Sequence, residues 1–373
     1  MEASFVPSLA DALDFLLEHV SLALQLPESK FRSAEEKYHA VGAWLAEARS
    51  PLLGLDPDVY PQGSMLIQTT VKPRVGDEYD LDLVCQLRVP SSGSPLAVYD
   101  MVRRRLAENE RYASILKQKK RCLRLNYAGD FHLDILPACP DLQRGGTCIL
   151  VPNRELGQWT ESNPKGYGDW FTSRCRVAAT TGVVKAGVEP LPSNGSGEVK
   201  PTLKRAVQLF KRHRDVAFAD DDRAPRSIVL TTLAGGAYHG ELLCMDALLG
   251  AVRRVNVGIS SCPGILEVRN PTNADELFSE TWNAESYSLF IAWMQRFQTK
   301  LEELQQIRGM TAIAAVLREL FGEAPTTAAI DAYTQRYATA RKLGTLGVAG
   351  PAATLVVDAP SARRVPRNTF YGK

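Results

Sequence analysis

No stretch of the 373-residue sequence approaches the length of apolar chain needed to cross a bilayer. Its first segment, MEASFVPSLADALDFLLEHV, carries acidic residues where a secretory signal carries basic ones. A soluble, cytoplasmic protein without membrane association is expected. The seven cysteines (Cys85, Cys122, Cys139, Cys148, Cys175, Cys244 and Cys262) are odd in number, scattered and never spaced C-x-x-C. That pattern weighs against a disulfide scaffold and predicts reduced, mostly buried thiols. The histidines, His19, His39, His132, His213 and His239, include no i,i+4 pair and no cysteine neighbour at ligand spacing, so no structural zinc is expected. An excess of one charge is also missing. With 44 Lys+Arg against 42 Asp+Glu the formal charge is +2, far from the basic surplus of a non-specific nucleic-acid binder. G-x-x-x-x-G-K-[ST], a strand followed by G-x-G-x-x-G, and G-x-S-x-G are all absent, which weighs against P-loop, dinucleotide-binding and α/β-hydrolase chemistry.

What is present is an ordinary globular composition, 45% hydrophobic, long enough for two packed lobes and an extension. Leu9, Leu13, Leu16, Leu17, Val20 and Leu24 recur at helical spacing, so residues 8–26 read as an amphipathic helix. Ser33 and Glu36 read as a capping box opening a second helix that Pro51 ends. Two helices then precede a turn at Gly63 and an alternating, strand-like run from Tyr79 to Leu87. A helix over 100–109 and strands over 121–127 and 131–136 follow. The Gly-, Pro- and Trp-rich stretch 137–176 suits a long ordered loop over a site, and Ser193 to Gly197 a linker tip. Beyond Pro201 the patterns are mainly helical, through 229–249 and 282–321, with a last helix at 327–343 and a frayed, exposed tail. The expected class is α+β, with a core over 1–195, a helical lobe over 196–325, and a C-terminal helix and tail over 326–373.

In EYDLDLVCQL, Asp80 and Asp82 stand two residues apart in an apolar strand and project from one face of the sheet. Two neighbouring carboxylates repel, and a strand beside a core holds such a pair only when a cation or donors compensate. Mg²⁺, a hard cation that takes one or two carboxylates plus substrate phosphates, is the natural candidate, with Mn²⁺ as its substitute. Asp134 in FHLDIL repeats the arrangement. Three acids on neighbouring strands suit a two-ion site for in-line displacement, the ions about 3.5–4 Å apart. Upstream, Gly63-Ser64 in PQGSML offers backbone N–H groups and a hydroxyl to a phosphate.

This order of motifs, a G-S turn, an apolar D-x-D strand and then a third apolar-flanked Asp, resembles the active site of the polymerase-β-like nucleotidyltransferases. More narrowly, from about Tyr60 to Trp282 the chain resembles the cGAS/DncV-like nucleotidyltransferases, which make cyclic oligonucleotide signals in bacterial antiphage defence. Three further stretches carry the narrower match. In TLKRAVQLFKRHRD, Lys204, Gln208 and Lys211 share one helical face opposite Leu203, Val207 and Phe210. VRNPTNADELFSETW resembles an N-P-x-N element, whose Asn270, Asn273 and Asp275 are expected to fold a turn and cap the next helix. The third, ILVPNRELGQWTESNPKGYGDWF, contains Tyr167 and Trp170, which either stack on a base or anchor the loop.

The resemblance implies catalytic, metal-holding roles for Asp80, Asp82 and Asp134, and nucleotide contacts from Gln62, Gly63, Ser64, Lys211 and Ser227. It implies a polymerase-β-like sheet packed on a helical lobe, ATP with GTP as a second substrate, pyrophosphate release, and a cyclic, cGAMP-like dinucleotide containing adenine. Its implied partners are a cyclic-nucleotide-sensing effector and regulatory proteins acting on the tail that ends in Phe370-Tyr371. The zinc-binding insertion and long basic DNA-binding surface of animal cGAS are absent, so no DNA requirement is expected. A cyclic trinucleotide or linear oligoadenylate-type product, and an inactive nucleotide-binding scaffold, stand as the alternatives.

Overall fold

The structure, a computed structural model, describes residues 9–74, 78–127, 129, 131–175, 200–219, 221–349, 354–358 and 362–366. The expected linker tip at 193–197 and the Phe370-Tyr371 pair lie outside these residues.

Helix α1 (Leu9–Ala23) buries Leu13, Leu16, Leu17 and Val20, as its apolar spacing dictates. Helix α2 (Glu28–Ala46) starts directly after Pro27, whose fixed φ suits a helix entry. Ser33 and Glu36 therefore lie inside the helix and form no capping box; the Ser33 hydroxyl accepts a hydrogen bond from Lys37 Nζ at 2.6 Å. A sheet follows, built from β1 (Asp58–Pro61), the short helix α3 (Gly63–Leu66), β2 (Tyr79–Gln86), α4 (Pro95–Ala107), α5 (Glu110–Ile115), β3 (Leu116–Gln118), β4 (Leu123–Tyr127) and β5 (Phe131–Pro140). Its strand order is β1-β2-β5-β4-β3, with β2 and β5 parallel at the centre and their neighbours antiparallel. Leu81, Leu83, Leu133 and Ile135 face a core shared with α2 and α4. The opposite face is thereby left to the polar residues of the same strands.

Residues 137–175 are not one long loop. They extend β5, pair β6 (Ile149–Asn153) with β7 (Gln158–Ser162), and form α6 (Pro164–Arg174), whose entry Asn163 caps by accepting from Gly166 N at 3.0 Å. Helices α7 (Thr202–Phe218), α8 (Ser227–Ala237) and α9 (Cys244–Ser261) follow; the run expected over 229–249 is broken between α8 and α9 and continues to Ser261. A small hairpin of β8 (Arg269–Asn270) and β9 (Asn273–Leu277) interrupts the helical half before α10 (Ala284–Gln306) and α11 (Met310–Phe321). Asn270 accepts from Thr272 N at 2.9 Å to fold the expected turn. The cap of α10 is Asn283, in a reciprocal box with Ser286, and not Asn270, Asn273 or Asp275. After α12 (Glu323–Leu343), β10 (Leu346–Ala349), β11 (Thr354–Val357) and β12 (Arg363–Arg364) pair into a three-stranded sheet where a frayed tail was expected.

A second core unites α1, α7–α11 and the aromatic residues of α6, so α1 belongs with the helical lobe although it opens the chain. Among the described residues no helix is long and apolar enough to cross a membrane. All seven cysteines are free thiols; Cys85, Cys139, Cys175 and Cys244 are buried.

Candidate active site

The strand register brings the three sequence-predicted acids together. Asp82 on β2 is the Cα partner of Asp134 on β5, and Asp134 is in turn the partner of Arg124 on β4. Because side chains alternate along a strand, Asp80, Asp82, Asp134 and Arg124 share the face opposite the apolar core. Arg124 grips Asp134 with both prongs of its guanidinium, Nε to Oδ1 and Nη2 to Oδ2, each at 2.7 Å. Its Nη2 also reaches Asp80 at 3.2 Å. His132, opposite Asp80 in the register, lies 2.7 Å from Glu78 and 3.4 Å from Asp80.

The turn before the acids is tied to them by the backbone. Gln62 N donates to the carbonyl of Asp82 at 2.9 Å, and Gly63 follows at φ +61°. A side chain would be strained there, and a Cβ would lie 2.5 Å from Oδ2 of Asp82. Ser64 Oγ is 3.0 Å from Thr70 Oγ1, and its carbonyl accepts from Thr69 N at 2.9 Å.

The α7 face of Lys204, Gln208 and Lys211 is buried and clamps the chain that follows α3. Gln208 Nε2 donates to Thr70 O at 2.7 Å, Lys211 Nζ to Thr69 O at 3.2 Å and Thr69 Oγ1 at 2.9 Å, and Arg212 to Lys72 O at 2.9 Å. Lys211 is therefore no surface lysine, and burial pushes its ammonium down to about 7. Ser227 opens α8 and accepts from Arg214 Nη2 at 3.0 Å.

Two cavities meet at this point. The first, about 460 Å³, is lined by Gly63, Ser64, Asp80, Asp82, Lys211 and Ser227, together with Arg214. It gathers six of the eight sequence-predicted site residues into one concavity; Gln62 lines the second cavity, and Asp134, held by Arg124, lines neither. The second, about 680 Å³, is lined by Gln62, Gly63, Asp82, Tyr167, Asn270 and Glu276, with Arg121 and Arg226. Gly63, Ile67, Asp82, Tyr167 and Ile228 belong to both. Tyr167 is an anchor as well as a wall: its hydroxyl is 3.0 Å from Thr232 Oγ1, and Trp170 packs on the backbone of Gly235.

Desolvation by these walls, reinforced by Asp80 and Asp134, raises Asp82 from its ordinary 3.8 to about 8. Asp80 is raised too, chiefly by desolvation and against the pull of Arg124. A pair of under-compensated acids with only hard oxygen donors fits a Mg²⁺-type cation held by Asp80 and Asp82, with Asp134 completing the set. Arg124, Arg214 and Glu276 were missed in the sequence. Arg124 alone left a signal, as the polar residue between Leu123 and Leu125 that must face the acids' side. Glu276 is raised by desolvation and accepts from Asn270 Nδ2 at 2.7 Å and Ser162 Oγ at 3.1 Å.

The Second Messenger Oligonucleotide or Dinucleotide Synthetase domain matches residues 18–174. The chain is 32% identical over 369 residues to a protein of Roseivirga ehrenbergii named c-di-GMP synthase, covering 96% of this chain and 97% of that one. It is 30% identical to the cyclic dinucleotide synthase CdnG of Bradyrhizobium diazoefficiens, covering 88% and 84% of the two chains. The solved structure of that organism's CdnG in complex with GTP superposes with a TM-score of 0.71 at 27% identity, over 86% of this chain and 97% of the other. With a relative matching along nearly its whole length and the acids placed on a polymerase-β-like sheet, the chain belongs to the cGAS/DncV-like nucleotidyltransferase (CD-NTase) family.

Proposed function

We propose that the protein is a cyclic dinucleotide synthase that joins two nucleoside triphosphates, guanine nucleotides foremost, with release of pyrophosphate. The observation that carries this reading is that Gly63 and Asp82 stand in the wall common to two cavities, each of a size to hold a nucleotide. The donor triphosphate occupies the first cavity, where Ser64, Lys211, Ser227 and Arg214 contact its phosphates. The acceptor occupies the second and presents a ribose hydroxyl to the acid face.

Asp80 and Asp82, with Asp134, would hold Mg²⁺, or Mn²⁺ in its place; when bound it supplies Lewis-acid charge and lowers the pKa of the attacking hydroxyl. The acids fix the attacking oxygen in line with the α-phosphorus. A P–O bond to the acceptor forms, the bond to pyrophosphate breaks, and the hydroxyl proton passes to solvent. Lys211, Arg214 and the Ser64 hydroxyl offset charge that grows on the leaving phosphates. A second transfer of the same kind closes the ring.

Guanine is placed before the adenine expected from the sequence because a c-di-GMP synthase matches along nearly the full chain and a GTP-bound CdnG shares the fold. The product serves as a second messenger for a cyclic-nucleotide-sensing effector in antiphage defence. Incubation with each nucleoside triphosphate and Mg²⁺, followed by phosphatase treatment and mass analysis, tests the reading. A phosphatase-resistant cyclic dinucleotide from GTP is expected. A linear product would replace the ring with oligonucleotide synthesis, and no pyrophosphate from any nucleotide pair would overturn the assignment.

A further inference from the structure

The acids share a face but do not form an open cage. Among the described residues, no three His, Cys, Asp or Glu side chains are arranged to hold a metal ion. Across β2, β5 and β4 runs the row Asp82–Asp134–Arg124, which ends in a cation. Arg124 takes both oxygens of Asp134 at 2.7 Å and an oxygen of Asp80 at 3.2 Å. Arg124 is 21% and Asp134 13% exposed, so little water competes for the two bonds between them. A fixed cation thus lies where a divalent ion shared by Asp80 and Asp134 would have to enter.

The geometry points to Arg124 as an internal counter-ion that must leave Asp134 before the acid trio can close on a divalent cation. Arg124 is a positioning residue: it occupies both oxygens of Asp134 and keeps the site poor at binding free metal. A triphosphate favours the exchange, because its oxygens complete the ion's coordination and give the released guanidinium a new anionic partner. The inference rests on the metal-dependent reading of the site.

The test is Mn²⁺ titration of the full chain without nucleotide, followed by electron paramagnetic resonance of free Mn²⁺. R124Q is expected to bind Mn²⁺ about tenfold more tightly than the unaltered protein, since a unit charge a few ångströms from a dication is removed. R124K, which keeps the charge but cannot grip both oxygens, is expected to fall between them. In a D134N background the effect of R124Q should largely vanish. Equal or weaker Mn²⁺ binding by R124Q overturns the inference; if R124Q fails to fold, as read by thermal unfolding, R124K decides, and no gain there overturns it. Absence of Mn²⁺ binding by the unaltered protein even with a non-hydrolysable GTP analogue would instead overturn the metal-dependent reading and this inference with it.

Discussion

Gly63 and Asp82 touch across a gap that admits no side chain: a Cβ on Gly63 would sit 2.5 Å from the Asp82 carboxylate, on a residue already at φ +61°. Gly63→Ala must therefore both strain the turn and push aside the acid at the centre of the site. A stability loss of about 1–3 kcal/mol is expected by thermal unfolding. Pyrophosphate release should fall at least about a hundredfold, as for an ångström-scale misplacement of a catalytic group.

Asp82 supplies a pH-dependent cost that a neutral isostere removes. Its folded value, about 8, lies above the ordinary 3.8. Below about pH 4 the group is protonated in both folded and unfolded chains and costs nothing. Between those values the unfolded chain ionises first, so stability falls as pH rises, and the full penalty is present above about 8. In EDTA, Asp82→Asn should thus melt higher than the unaltered protein at pH 8.5, with the gap closing toward pH 5. Mg²⁺ should narrow the gap at pH 8.5; a gap that does not change with pH would contradict the raised acid.

Lys211 is held near 7 by burial, so its charge changes within the working range. A triphosphate prefers the protonated form, and metal-free affinity for a non-hydrolysable GTP analogue should fall as pH rises from 6 to 8.5. Lys211→Gln should bind the analogue about tenfold or more weakly at pH 6, the loss of a charged hydrogen bond, and flatten the profile. Calorimetric titration at several pH values measures both.

Glu276 lines the second cavity with its carboxylate fixed by Asn270 and Ser162. A carboxylate suits the adjacent N1–H and N2–H donors of guanine and repels the N1 lone pair of adenine. Glu276→Gln should lower the GTP-over-ATP ratio of kcat/KM about tenfold or more while leaving some turnover with ATP. An unchanged ratio would remove Glu276 from base selection.

Much of this site could be read from residue order, because strands betray themselves by alternation. Asp80, Asp82 and Asp134 each interrupt an apolar run, and the sheet has one polar face on which to put them. The partner of Asp134 could not be read, since Arg124 meets it only through the register of two antiparallel strands. The β6–β7 hairpin and α6 were hidden by the same Pro and Gly residues that make them work. Pro164 sits in the first turn of α6, where its missing N–H costs nothing, and Gly157 supplies the positive φ of the hairpin turn. Ser33 and Glu36 misled for the converse reason: a local cap pattern is overridden when a proline six residues earlier has already begun the helix.

The wall shared by the two cavities has a kinetic corollary. Asp82 faces both, so on the proposed assignment of donor and acceptor ring closure could not proceed by sliding the half-made product forward, as a polymerase advances its template. On that assignment each nucleotide would serve once on either side of Asp82, and the linear intermediate would have to turn end for end between the two transfers. That inversion, and not bond formation, would then be the step where a ring and a longer chain part company, and the dimensions of the second cavity would decide which one leaves.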